Sequence, residues 1–272
     1  MKAVGFLKQC MGDLVNQTVP LRAFKQVYPD SHFVFGIDEK YKAIEPLFQN
    51  HPWISETHIW KGIDNNWPNI EDNKYIQEQK FDIVFNAMAD HTRPDWFNFY
   101  HYGAEFSMMA GLVPPSDLSP YLNQWFGSYE NCDKIITLSM FPSFDQGQKK
   151  SLSIEKLEEL CVNIKKLGYF PVQIGSTFEH KLENSERPEL SILQAAKLLC
   201  SSKLHITADC FYAWLSSAYK RPTIGIYTNN LPTMKDSWSH RPINPNAYYF
   251  HRENLHNLEI DDIISKIKDY VK

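Results

Sequence analysis

The chain of 272 residues contains no run of about 18 apolar residues, so its sequence predicts no transmembrane helix. It begins without the charged and apolar regions of a secretory signal. It has only five cysteines and no Cys-x-x-Cys pair, which argues against a disulfide framework and against a zinc site. These absences indicate a reducing compartment. We expect a cytoplasmic protein and leave open an association with the inner membrane surface.

An excess of basic residues is also missing. The formal net charge is −4, so the protein has no global field that would attract nucleic acid. We therefore expect no nucleic-acid partner, although the charge balance alone does not exclude one. No Asp-x-Asp motif occurs, and no His, Cys and carboxylate set has metal-ligand spacing. The sequence thus predicts neither a metal nor another cofactor.

The first half of the chain alternates between predicted strands and predicted helices. Apolar runs bounded by polar residues predict strands, and apolar residues at helical spacing predict helices. The predicted strands are Ala3–Leu7, His32–Gly36 and Phe81–Ala87, the predicted helices are Asp13–Val27 and Tyr41–Gln49, and Lys61–Asn73 reads as a loop. Pro20 is expected to kink the first helix or to start a second segment.

The same alternation restarts after a proline-rich connection, Gly111–Gln124. Strands are predicted at Lys134–Met140, Tyr169–Gly175, Leu204–Ala208 and Thr223–Tyr227, and helices at Ser153–Leu167, Ser191–Cys200, Cys210–Tyr219 and Glu259–Tyr270. Strands separated by helix-length segments indicate parallel sheets. We predict an α/β protein of two Rossmann-like, doubly wound parallel-sheet domains, residues 1–125 and 126–272. Their carboxyl strand ends would face a central cleft. The last helix belongs to the second domain or packs back on the first.

Gly12 and Asp13 follow the first predicted strand. The glycine permits a tight turn and a close approach of the backbone to a bound donor. The aspartate has two interpretations: a helix N-cap, or a carboxylate that acts as a base in the cleft.

Three further segments at strand ends suggest an anion site. Asp209 precedes a helix whose first backbone N–H groups, those of Cys210, Phe211, Tyr212 and Ala213, would bind phosphate. Lys149 and Lys150 precede another helix and could meet phosphates. Glu179 could hydrogen-bond a ribose. The alternatives are a plain N-cap at Asp209, a solvated loop at the lysines and a surface carboxylate at Glu179.

These segments together resemble glycosyltransferase family nine, the ADP-heptose:lipopolysaccharide heptosyltransferases and their relatives. The most specific part is "MGDLVNQTVPLRAFKQVYPDS", Met11–Ser31, which is similar to the family's Gly-Asp turn and the helix that follows it. Lys150 and Gly175–Glu179 are similar to two later motifs. In the family's Asp-(Ser/Thr)-Gly-x-x-His motif only Asp209 matches, because Phe211 and Trp214 replace the glycine and the histidine.

The resemblance implies the GT-B fold and an inverting glycosyltransferase that needs no metal. Asp13 would be the catalytic base, and the remaining matched residues would bind a nucleotide-sugar donor. The acceptor would be a hydroxyl of a glycan or of a lipopolysaccharide-like molecule. The alternatives are transfer to a modified nucleic-acid base, hydrolysis of a nucleotide sugar, and nucleotide-sugar binding without catalysis.

One more segment could contact the acceptor or the sugar. Ala89–Leu112 follows the third predicted strand and places His91, Arg93 and Trp96 close together. These side chains could form a sugar platform. Alternatively, Tyr102 and the apolar residues that follow it at helical spacing are core, with His91 and Arg93 outside.

Overall fold

The computed structural model describes residues 1–6, 10–60, 74–86, 102–123, 127–141, 150–228 and 241–271. The chain divides into two compact units, Met1–Trp125 and Phe126–Lys272. All five cysteines lie in the described ranges and are free thiols. No helix in those ranges is long and apolar enough to cross a bilayer.

The first unit contains a parallel sheet of four strands. The strands are β1 (Lys2–Phe6), β2 (His32–Asp38), β3 (Glu56–Trp60) and β4 (Ile83–Asn86), and the α-helices are α1 (Met11–Asn16), α2 (Thr18–Val27), α3 (Lys74–Gln79) and α4 (Tyr102–Met109). The strand order is β3-β2-β1-β4, so the chain reverses its winding direction between β1 and β4. In such sheets, ligands bind at the carboxyl ends beside that reversal.

The predicted first helix is two helices that meet at Gln17. Pro20 lies in the first turn of α2, where its missing N–H costs least, so the expected second segment is confirmed. The helix predicted at Tyr41–Gln49 is present at Glu39–Phe48, but it is a 3₁₀ helix. Pro46 lies inside it, and an α-helical proline would lack one hydrogen bond and clash with the preceding turn.

The proline-rich segment after α4 contacts helix α2 through a hydrogen bond and an ion pair. The Thr18 hydroxyl accepts a hydrogen bond of 2.8 Å from the Tyr121 N–H. The Arg22 guanidinium forms a 2.9 Å ion pair with Asp117, and it also lies over the Trp53 ring, 5.1 Å from the ring centroid. The family-like residues Thr18 and Arg22 therefore hold a strap, which we define as residues 111–123.

The second unit contains a parallel sheet of five strands. The strands are β5 (Ile135–Ser139), β6 (Phe170–Gln173), β7 (Leu204–Ala208), β8 (Thr223–Thr228) and β9 (Ala247–Arg252), and the α-helices are α5 (Ile154–Lys166), α6 (Ile192–Ser201), α7 (Phe211–Ala218) and α8 (Ile260–Val271). The order β6-β5-β7-β8-β9 places the reversal of winding between β5 and β7. The α/β prediction with two doubly wound parallel sheets is confirmed.

Helix boundaries in the second unit follow from their caps. The Ser153 hydroxyl accepts from the Lys156 N–H, and Ser191 with Gln194 forms a capping box at α6. The apolar face of α5, formed by Leu157, Leu160, Cys161 and Ile164, is buried in the core of this unit. The closing helix α8 packs in the same core, on α5 and β7, and the Tyr169 hydroxyl donates to the Val271 carbonyl at 3.0 Å.

Candidate active site

The junction between β1 and α1 carries Asp13. Cys10 is the N-cap of α1, with an extended backbone (φ −150°, ψ 173°). Gly12 lies inside the helix and has no left-handed conformation, so the expectation that it makes the turn is wrong. Asp13 is the third helical residue, and its Oδ2 accepts from the Cys10 N–H at 3.0 Å and from the Cys10 thiol at 3.2 Å. Asp13 therefore stabilises the helix start without being its N-cap.

A second carboxylate lies at the end of the neighbouring strand. Asp38 ends β2 and caps the 3₁₀ helix through the Lys40 N–H at 3.0 Å. Its side chain is 6% exposed, and its Oδ2 is 3.5 Å from the Lys40 ammonium. Burial, followed by the charges of Cys10, Asp13 and Asp38, raises the pKa of Tyr41 to about 12. The Tyr41 hydroxyl therefore stays protonated near both carboxylates and can donate a hydrogen bond.

In the second unit, a lysine and an aspartate meet at the reversal of winding. Lys150 follows β5 along the chain, and Asp209 follows β7 directly. The Lys150 Nζ donates to the Asp209 Oδ2 at 2.7 Å, and the two side chains are 12% and 16% exposed. Sequence analysis selected both residues but did not pair them. A short pair with little exposure fixes a positive charge at the edge where parallel sheets bind ligands.

Helix α7 begins beside this pair. Cys210 is its N-cap, with φ −148° and ψ 177°, and the Ala213 N–H donates to the Cys210 carbonyl at 3.1 Å. The N-cap interpretation of Asp209 is therefore wrong. Phe211 is 9% exposed, and its ring lies 5.0 Å from the Tyr212 ring.

A buried hydrogen-bond chain supports the same junction. The fully buried His205 lies 3.0 Å from the Thr137 hydroxyl through Nδ1 and 3.1 Å from the Ser139 hydroxyl through Nε2. Ser139 bonds Thr207 at 2.8 Å, and Thr207 lies 3.3 Å from the Cys210 sulfur. Burial lowers the pKa of His205 to about 3, so the ring stays neutral. Sequence analysis missed this chain because the residues look like ordinary strand positions.

Glu179 folds back over Gly175. Its Oε1 accepts from the Ser176 N–H at 2.8 Å. A Cβ added to Gly175 would come within 2.1 Å of Glu179 Oε2, so a larger residue there would displace the Glu179 carboxylate from this position. Burial raises the pKa of Glu179 to about 7, although the Ser176 hydrogen bond and the charge of Arg187 act to lower it. Burial, followed by the charges of Cys210 and Glu179, also raises the pKa of the half-buried Tyr212. The two groups therefore share one environment beside α7.

Four of the selected residues lie outside the described ranges: His91, Arg93, Trp96 and Lys149. Within the described ranges, no group of three or more His, Cys, Asp or Glu side chains could hold a metal ion.

No family model matches the sequence, and no curated protein matches it by sequence. Solved structures do match the fold. E. coli ADP-heptose LPS heptosyltransferase II has a TM-score of 0.74 and 15% identity, covering 100% of this chain and 98% of that chain. A glycosyl transferase family 9 protein from Veillonella parvula has a TM-score of 0.74 and 14% identity, covering 99% and 96%. E. coli heptosyltransferase WaaC with ADP has a TM-score of 0.71 and 14% identity, covering 99% of this chain and 100% of that chain.

The chain has the fold of the heptosyltransferases. At this level of identity the likeness establishes the fold alone. The sequence resemblance, which rests on motifs around Asp13 and Glu179, points to the same group of proteins as the fold does.

Proposed function

We propose that the chain is a glycosyltransferase of the family-nine type, which moves a sugar from a nucleotide-sugar donor to a hydroxyl acceptor. The observation that carries this proposal is the Lys150–Asp209 pair at the reversal of winding of the second sheet. It occurs in a chain with the fold of the heptosyltransferases.

On the donor side, the second unit binds the nucleoside diphosphate. The diphosphate leaves as an anion, which requires charge stabilisation more than protonation. The Lys150 ammonium and the N-terminus of α7 supply it. With both in place, the chain has its own positive groups for the leaving group, and we propose that it works without a metal. Glu179 accepts hydrogen bonds from the ribose.

On the acceptor side, Asp13 acts as the base. The acceptor oxygen attacks the anomeric carbon as the bond to the diphosphate breaks, and the hydroxyl proton passes to the Asp13 carboxylate. Attack opposite the leaving group inverts the configuration, through an oxocarbenium-like transition state. The protonated Tyr41 lies within electrostatic reach of both Asp13 and Asp38.

The acceptor is a glycan or a lipopolysaccharide-like hydroxyl compound, and His91, Arg93 and Trp96 are proposed to contact it or the sugar. The five free thiols favour a reducing compartment, and we propose the cytoplasm, at the inner membrane surface if the acceptor is a lipid.

The test is a binding screen followed by product analysis. ADP is titrated first because the structure of WaaC was solved with ADP, and UDP, GDP, CMP and dTDP are titrated in parallel. A ligand at a hundred times its Kd adds about 2.7 kcal/mol of stability, which a thermal shift detects readily. The matching nucleotide sugars are then incubated with and without acceptors. Sugar release without acceptor would make the protein a hydrolase, and binding without turnover would make it a binding protein. Failure to bind any nucleotide overturns the proposal.

A further inference from the structure

The pairing of Lys150 with Asp209 creates a problem for the donor site. An ammonium that turns to a phosphate weakens its bond to the carboxylate, which is 16% exposed. Leaving a largely buried carboxylate without a hydrogen-bond donor costs free energy. If the donor binds as proposed above, Asp209 therefore needs a second hydrogen-bond donor.

Tyr227 is placed to be that donor. Ala208 of β7 pairs with Ile226 of β8, so Asp209 and Tyr227 are the next residues along two neighbouring strands. The tyrosine is fully buried, and its hydroxyl has no hydrogen-bond partner among the residues that the structure describes. Buried tyrosine hydroxyls nearly always have one. Burial is the largest cause that raises the pKa of Tyr227, and the charge of Asp209 is the next. The Tyr227 hydroxyl therefore lies within electrostatic reach of the Asp209 carboxylate.

We propose that the Tyr227 hydroxyl binds Asp209 when the donor's diphosphate draws Lys150 away. In the free protein, the Asp209 carboxylate accepts a hydrogen bond from Lys150, and the Tyr227 hydroxyl makes no hydrogen bond to the described residues. In the donor complex, Lys150 binds the diphosphate and the carboxylate turns to Tyr227. Tyr227 is thus a positioning residue that acts through Asp209. This inference rests on the proposed function, because it requires a diphosphate to bind at Lys150.

The chain offers a matched control in Tyr249. Its ring lies 5.6 Å from that of Tyr227, and its hydroxyl donates to the Pro242 carbonyl at 2.7 Å. Tyr249→Phe removes a hydroxyl that is hydrogen-bonded in the free protein, whereas Tyr227→Phe removes one that is not. The two substitutions delete the same atom from two neighbouring rings and should have opposite effects on Tm and on the Kd.

The experiment measures thermal melting without ligand and the Kd of ADP by calorimetry, for the wild-type chain and both variants, with UDP and GDP as parallel probes. For Tyr227→Phe we expect an unchanged or higher Tm and an ADP Kd weakened about tenfold, the value of one net hydrogen bond to a charged group. For Tyr249→Phe we expect a lower Tm and an unchanged Kd. In an Asp209→Asn background, Tyr227→Phe should lose most of its effect on the Kd.

Two results would overturn the inference. One is a Tyr227→Phe variant that binds the probes as tightly as the wild type. The other is a loss of Tm as large as that of Tyr249→Phe, because the hydroxyl would then already have a partner in the free protein. If the wild-type chain binds none of the probes, the proposed donor site fails first, and the inference fails with it.

Discussion

The junctions that carry Asp13 and Asp209 begin in the same way and end differently. Each joins a parallel strand to a helix, and each has a cysteine with an extended backbone as its N-cap, Cys10 in one and Cys210 in the other. Asp13 lies after its cap and bonds back to it. Asp209 lies before its cap and depends on Lys150, which comes from another part of the chain.

This difference separates two ways of holding a carboxylate at a sheet edge. A carboxylate at the third helical position is oriented by its own backbone and needs no other element. A carboxylate before the cap depends on a partner, and that partner can be drawn away by a ligand. We therefore expect the first junction to be rigid, as a base requires, and the second to rearrange when the donor binds.

The largest expected effect is that of Asp13→Asn. The amide oxygen can still accept from the Cys10 N–H, so the fold should survive, but the side chain can no longer take the acceptor's proton. The transfer rate should fall about 100- to 10,000-fold, the usual contribution of a general base. Initial rates with a saturating donor test this, with the ADP Kd as the control for an intact donor site. Full transfer activity in the variant would remove Asp13 from the mechanism.

The next effect is that of Lys150→Met. It leaves Asp209 largely buried without its donor, so the free energy of unfolding should fall by about 2 kcal/mol, and ADP binding should be lost. The double variant Lys150→Met with Asp209→Asn should recover most of the stability but not the binding. Denaturant unfolding measures the first quantity and calorimetry the second. Retained ADP binding in either variant would show that the diphosphate does not use this lysine.

Glu179 should make donor binding depend on pH. Its raised pKa of about 7 means that the free protein holds a neutral carboxyl at pH 6, whereas a ribose is bound better by the carboxylate. ADP affinity should therefore rise about tenfold between pH 6 and 8, with proton release on binding at pH 6. Calorimetry in buffers of different ionisation enthalpy detects that release. Glu179→Gln should remove both effects.

The same shift predicts the stability of the free protein. Because the folded-state pKa lies above the ordinary value of 4.5, the contribution of Glu179 is fully present below about pH 4.5 and is lost as pH rises through about 7. Unfolding free energies of the wild type and of Glu179→Gln should therefore diverge over this range. Parallel curves would mean that the carboxyl titrates normally.

The smallest expected effect compares the two cap cysteines. Serine is a strongly preferred N-cap, so Cys10→Ser should raise the free energy of unfolding by about 0.5–1 kcal/mol. Cys210→Ser should gain less, because the Cys210 sulfur lies 3.3 Å from the Thr207 hydroxyl and a shorter side chain lengthens that contact. Chemical denaturation of both variants, with Cys10→Ala as a reference, decides this. A larger gain at Cys210 would contradict the comparison.

The sequence predicted seven of the nine described strands and missed β3 and β9. β2, β5, β7 and β8 are almost entirely buried, and their continuous apolar runs identify them. The missed strands, β3 and β9, each lie at the edge of a sheet. Their residues, Glu56–Trp60 and Ala247–Arg252, are partly polar because one side faces solvent. Such strands are defined by their pairing partner, which a local pattern does not contain.

For the candidate site, the sequence indicated which residues follow strands. It did not indicate which hydrogen-bond partners these residues have. The strand-end rule selected Asp13, Asp209 and Glu179, and applied to β2 it would also have selected Asp38. The Lys150–Asp209 bond joins residues 59 apart, and no spacing in the sequence encodes it. Tyr227 reads as a core residue, and only the structure reveals that its hydroxyl has no hydrogen-bond partner in the described part of the chain.

The strap has a consequence for how the protein is made. Helix α2 emerges early in synthesis, yet its partners Asp117 and Tyr121 lie 95 and 103 residues later. At about 5–20 residues per second, the ribosome delivers them about 5–20 s afterwards. Until then, Thr18 and Arg22 lack their contacts with the strap. A nascent chain that stalls near Gly111 would contain strands β1 to β4 but would lack the strap that contacts α2, and we expect chaperones and proteases to recognise it there.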